Sequence, residues 1–186
     1  MRTLVLMRHA KSDYPAGVAD HDRPLAARGI REAGLAGDWL RSTLPAVDAV
    51  LCSTAVRTRQ TLDRTGIAAP VRYLQQLYDT TVGAMLDQIN RVDDDVATLL
   101  VVGHEPTVSQ VALGLAAHPA SNADAVGRIE LKFPTSGIAV LQVPGNWSAL
   151  ELNGAELASG QEFVAGQELA AGQEFVANVS SISLMA

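Results

Sequence analysis

The sequence predicts an α/β protein: a single three-layer domain with a mainly parallel central sheet flanked by helices. Two observations carry this reading. Short continuous apolar runs, too short for helices, alternate along the chain with stretches of ten or more residues whose apolar positions recur at helical spacing. Turn-forming residues separate most of these stretches, as βαβ units require.

The elements follow in order. Thr3 to Met7 is a buried strand ending at Arg8-His9, and Ser12 to Pro24 is a polar loop. From Leu25 the residues Ile30, Ala33, Ala36, Trp39 and Leu40 mark a helix that closes near Pro45, although Gly29 and Gly34 weaken it. Asp48 to Cys52 is a second strand, Ala55 to Thr65 a helix stopped by Gly66, and Val71 to Leu77 a third strand. A helix over Val82 to Val92 leads through Asp93-Asp94-Asp95 to Ala97 to Val102, the clearest strand in the chain. Pro106 suits the start of the next helix, which runs to about Ala117. A loop covers His118 to Val126, with His118 as a turn residue. Gly137 to Val143 and Trp147 to Leu152 then read as paired strands around Pro144-Gly145-Asn146.

Composition narrows the function classes. With 48% hydrophobic and 18% charged residues the 186-residue chain is globular, and its net charge of −6 gives no field to hold a nucleic acid. No apolar run is long enough for a bilayer, and Leu4 to Met7 is too short for a signal peptide. The single cysteine, Cys52, excludes an internal disulfide and fits a reducing compartment. The expectation is a cytoplasmic protein with neither nucleic-acid nor membrane partner.

The domain is expected to span 1–152, with 153–186 a low-complexity tail. From Gly154 the chain repeats every six residues, GAELAS, GQEFVA, GQELAA, GQEFVA, up to Ala177. An even period keeps Leu157, Phe163, Leu169 and Phe175 on one face of an extended strand, whereas a helix would scatter them. The tail is read as carrying no chemistry.

Chemistry concentrates where strands end. Arg8-His9 follows the first strand, Ser53 to Thr58 the second, Asp79 the third, and Gly103-His104-Glu105-Pro106 the strongest. Ligands of parallel sheets bind beyond the carboxyl ends of the strands. Two arginines, two histidines and two helix N-termini would converge there, a donor density suited to a tetrahedral dianion. An imidazole among those cations stays neutral and can attack phosphorus, and a second can hold charge that develops on the equatorial oxygens.

These residues carry a resemblance. Leu6-Met7-Arg8-His9-Ala10-Lys11-Ser12 resembles the RHG-type signature of the histidine phosphatase superfamily, also called phosphoglycerate-mutase-like. Asp22-Arg23-Pro24-Leu25 with Arg28-Gly29, then Ser53-x-Ala55-x-Arg57-Thr58-x-Gln60-Thr61, then Val102-Gly103-His104-Glu105-Pro106, follow in that family's order. The similarity covers roughly residues 1–152 and is nearest to the small SixA-like phosphohistidine phosphatases. It implies a phosphoglycerate-mutase-like fold, His9 as phosphorylated nucleophile, and Arg8, Arg57 and His104 as the phosphate pocket. Arg23 resembles the family's additional arginine near the pocket, and Ser12 and Lys11 flank it. No metal or other cofactor is implied. Larger relatives carry a general acid in a Leu-x-Glu context. Leu77-Tyr78-Asp79 is the counterpart here, and Glu105 is the rival donor.

The implied function is a phosphatase acting on phosphohistidine, or a similar phosphorylated side chain of a protein, through a covalent phosphohistidine intermediate. The alternative is a phosphatase or mutase of small phosphate esters. Only 46 residues separate Arg57 from His104, leaving no obvious insertion for a lid, which favours a protein substrate. A binding module without catalysis would have no use for the histidine nucleophile. Asp20-His21-Asp22 reads as a solvated loop rather than a metal site, and Ser53 as a helix cap or phosphate donor.

Overall fold

The computed structural model describes residues 1–117 and 119–161. Six strands form one sheet: β1 (Arg2–Arg8), β2 (Ala49–Ser53), β3 (Val71–Leu74), β4 (Thr98–Gly103), β5 (Ile138–Val143) and β6 (Glu156–Gln161). Their spatial order is β3-β2-β4-β1-β5-β6. The first four run parallel, while β5 is antiparallel to β1, and β6 to β5. The sheet is therefore parallel on the side that builds the site and antiparallel beyond it.

Five helices complete three layers: α1 (Ala27–Thr43), α2 (Val56–Thr65), α3 (Val82–Ile89), α4 (Thr107–Leu115) and α5 (Ala123–Leu131). Strand alternation sorts the core. Leu4, Leu6, Leu99 and Val101 face a cluster that includes Met85, Ile89, Val111 and Ile129 of α3, α4 and α5. Val5, Met7, Leu100 and Val102 face Ala36, Leu40 and Leu62 of α1 and α2. Because the central strands are covered on both faces, they read as unbroken apolar runs. Gly29 explains itself by close approach: a Cβ there would stand 2.1 Å from the Lys11 carbonyl oxygen, so α1 lies directly against the segment leaving β1.

Three expectations are corrected. Residues 147–152 form no strand; Trp147 opens a short 3-10 turn and is fully buried, its Nε1 donating to the Val96 carbonyl at 2.9 Å. The partner of β5 is instead β6, which begins after residue 152 and comprises most of the first hexad. It is seated by Leu157, which is fully buried. The loop expected to Val126 is interrupted by α5, whose N-cap Asn122 accepts a bond from the Ala125 amide at 3.0 Å. The third strand also stops at Leu74 and passes into a 3-10 turn over Gln75–Leu77. His118 and the hexads from residue 162 onward lie outside the described residues.

Candidate active site

The register of β1 and β4 sets Arg8 beside Gly103, and the His9 amide donates to the Gly103 carbonyl at 3.0 Å. His9 and His104 therefore leave adjacent strand ends together, and their ring centroids are 5.2 Å apart at 56°. Both are 9% exposed. His9 Nδ1 lies 2.7 Å from the Ala10 carbonyl oxygen, which can only accept, so Nδ1 carries the proton and Nε2 keeps its lone pair. Burial, reinforced by His104, Arg57 and Arg8, pushes the His9 pKa down to about 3.

His104 is held from β2. Its Nε2 is 2.8 Å from Ser53 Oγ, and Ser53 Oγ also accepts from the Ala55 amide at 3.4 Å. The Ser53 hydroxyl proton can be donated to His104 Nε2, and in that arrangement the ring proton sits on Nδ1. That Nδ1 is buried without a partner, as is Nε of Arg8. Burial first, then Arg57, lowers the His104 pKa to about 4. Arg8 itself is anchored by Nη1 donating to the Phe133 carbonyl at 2.7 Å.

Arg57, in the first turn of α2, is 6% exposed. Its terminal nitrogens donate to the Asp20 carbonyl at 2.6 Å and to Asp20 Oδ2 at 3.0 Å. Arg23 donates to Asp20 Oδ1 at 2.7 Å, to the Asp13 carbonyl at 3.0 Å and to buried Ser12 Oγ, and packs 3.5 Å over the Tyr14 ring. The structure thus brings Arg8, His9, Arg57 and His104 together and joins Arg23 and Ser12 to them through Asp20.

The two candidate proton donors are placed differently. Glu105 is committed to the first turn of α4: its oxygens accept from the Ser109 amide at 3.1 Å and the Ser109 hydroxyl at 2.6 Å. Asp79 is exposed, with φ of 51°, and its side chain forms no hydrogen bond or ion pair with the pocket residues. Its neighbour Tyr78 reaches the site instead. The Tyr78 hydroxyl donates to Asp20 Oδ2 at 2.7 Å, and its ring stands edge-on to His104 and His21, with centroids 5.5 Å and 4.9 Å away.

Asp20 and Tyr78 are the site-bordering residues that sequence reasoning missed, and Ser53 proves to be a partner of His104 rather than a helix cap. The available signal for Asp20 was its position three residues before Arg23 in Asp20-His21-Asp22-Arg23, the spacing of their ion pair. Among the described residues no three His, Cys, Asp or Glu side chains gather as a metal site. The assembled groups offer one neutral imidazole lone pair amid cationic and N–H donors, an arrangement able to receive a phosphoryl group.

Comparison with known proteins agrees with that chemistry. The model of the histidine phosphatase superfamily (branch 1) matches residues 4–98. An uncharacterized protein of Mycobacterium tuberculosis (strain H37Rv) is 65% identical over 145 residues, 78% of this chain and 92% of that one. The phosphohistidine phosphatase SixA of Escherichia coli K12 is 29% identical over 118 residues, covering 59% of this chain and 71% of that protein. Among solved structures, a Nakamurella multipartitia protein with the provisional name phosphohistidine phosphatase SixA superposes with a TM-score of 0.81 at 46% identity, over 88% of this chain and 97% of that one. The chain belongs to the histidine phosphatase superfamily, among its SixA-like members.

Proposed function

We propose that the protein is a metal-independent phosphohistidine phosphatase in which His9 accepts the phosphoryl group. The observation that carries this reading is the state of His9: buried, neutral, and held by the Ala10 carbonyl with Nε2 unprotonated. Nε2 attacks phosphorus, an N–P bond forms, and the bond to the leaving group breaks with its electron pair on the departing atom. Arg8, Arg57 and the Nδ1–H of His104 bind the non-bridging oxygens, where charge spreads in the transition state. The charge a metal would bring is supplied by the two guanidiniums. Water then adds to phosphorus, the N–P bond breaks, and phosphate leaves while His9 recovers its lone pair.

A phosphorylated protein is the preferred substrate class, supported by the likeness to SixA proteins and the short connection from Arg57 to His104. Both carboxyl groups expected as proton donors are turned to other uses or to solvent, which suits a phosphoramidate better than an ester. A cytoplasmic setting fits the lone buried Cys52. Among the described residues no helix is long and apolar enough to cross a membrane.

The test is a brief incubation of wild type and His9→Ala with a ³²P-phosphohistidine protein, quenched in alkali, with and without EDTA. An alkali-stable, acid-labile label on the enzyme, absent in His9→Ala and indifferent to EDTA, accompanied by phosphate release, is the expected result. Turnover of phosphate esters with none on the phosphohistidine protein would move the function to small metabolites. No label and no turnover would refute catalysis.

A further inference from the structure

The carboxylate of Asp20 borders a site built to bind an anion. Its two oxygens are held at 3.0 Å from Arg57, 2.7 Å from Arg23 and 2.7 Å from the Tyr78 hydroxyl. The Tyr78 hydroxyl above all, with Arg23 and Arg57 behind it, keeps Asp20 below the usual carboxylate range, so it stays ionised. The side chain remains 54% exposed, with Oδ1 engaged only by Arg23, so an incoming group can reach it. An ionised carboxylate cannot donate the proton that an alkoxide leaving group needs. It can bind a leaving group that arrives already protonated.

We propose that Asp20 is a specificity-determining residue that binds the protonated ring of a phosphohistidine substrate and so selects phosphoramidates over phosphate esters. This rests on the phosphohistidine reading above. A phosphoimidazole protonated on its distal ring nitrogen carries a positive ring, and that N–H is the donor Asp20 accepts. His9 Nε2 attacks phosphorus, the P–N bond breaks with its electron pair going to the ring, and the ring departs as neutral imidazole, keeping its distal proton. No proton has to be delivered at the breaking bond. The step therefore asks nothing of Glu105, whose carboxylate is held by Ser109, or of exposed Asp79. A phosphate ester gains nothing from Asp20 and meets its negative charge.

The test compares kcat/KM of full-length wild type, Asp20→Asn and Asp20→Glu on a chemically phosphorylated phosphohistidine peptide and on p-nitrophenyl phosphate. Whatever loss the two substrates share through Arg57, the ratio of peptide to ester efficiency is expected to fall about tenfold in Asp20→Asn, which keeps an acceptor but loses the charge that strengthens the bond. Asp20→Glu should recover part of it. An unchanged ratio, whether both activities fall, rise or stay, reduces Asp20 to a support for Arg57 and overturns the inference while wild-type preference for the peptide stands. A wild type that turns over the ester and ignores the peptide overturns both readings.

Discussion

Acid should destabilise this protein well before its carboxylates titrate. His9 and His104 have folded pKa values near 3 and 4, against about 6.5 in an unfolded chain. A histidine whose folded pKa is depressed contributes nothing against folding above the unfolded value. As pH falls through 6.5 the unfolded chain takes up protons that the native pocket refuses, and stability drops. At pH 5 each histidine costs about 2 kcal/mol, so the pair costs about 4 kcal/mol, a large part of a typical 5–15 kcal/mol total. Asp20 acts in a separate window: its depressed pKa stabilises the fold above the ordinary carboxylate range and is lost only below it. Urea unfolding at pH 7.5 and pH 5 measures the difference. Wild type should lose about 4 kcal/mol over that interval, His9→Asn about half as much, and the double variant His9→Asn/His104→Asn little of it. An equal acid loss in all three proteins would refute the argument that burial keeps these rings neutral.

Four further outcomes are expected. Ser53→Ala removes the hydroxyl that holds His104 Nε2, and should lower kcat about ten- to a hundredfold with little change in KM and an unaltered circular dichroism spectrum. Ending the chain after Gln161 should leave kcat/KM unchanged. Ending it after Asn153 deletes β6 and buried Leu157, and should cost at least about 2–5 kcal/mol in urea unfolding. Gly37→Ala places a methyl 2.1 Å from the Thr65 carbonyl oxygen between α1 and α2, and should cost about 1–3 kcal/mol, read as a lowered Tm.

What the sequence could and could not reveal divides along range. Arg8, His9, Arg57 and His104 were legible because each follows a continuous apolar strand or opens the helix after one, and a parallel sheet brings such positions to one edge. β6 was hidden because Glu156 to Gln161 has one large residue to bury, Leu157, amid small and polar neighbours. α5 was hidden for the same reason, since it buries only Ala125 and Ile129. Asp20 and Tyr78 are 58 residues apart, and Asp20 lies 37 from Arg57. Pairings at that distance are made by the tertiary fold and leave no local pattern. The fates of Glu105 and Asp79 turned on such side-chain detail as well: a hydroxyl at Ser109 claims one, and a left-handed backbone turn accompanies the exposure of the other.

The pairing of β1 with β4 has a consequence for how such a site can change. Neighbouring strands lie about 4.8 Å apart, and the two imidazoles leave those strands at matched positions with centroids 5.2 Å apart. The backbones that carry the two rings are thus held at the spacing of the sheet itself, while the Ala10 carbonyl and the Ser53 hydroxyl set where the rings point. Substitutions in the surrounding loops can alter what is admitted, gripped or turned away, but they leave that backbone spacing in place unless they break the ladder. Change is free to proceed at the rim while the two strand ends beneath it stay locked to the spacing of hydrogen-bonded chains.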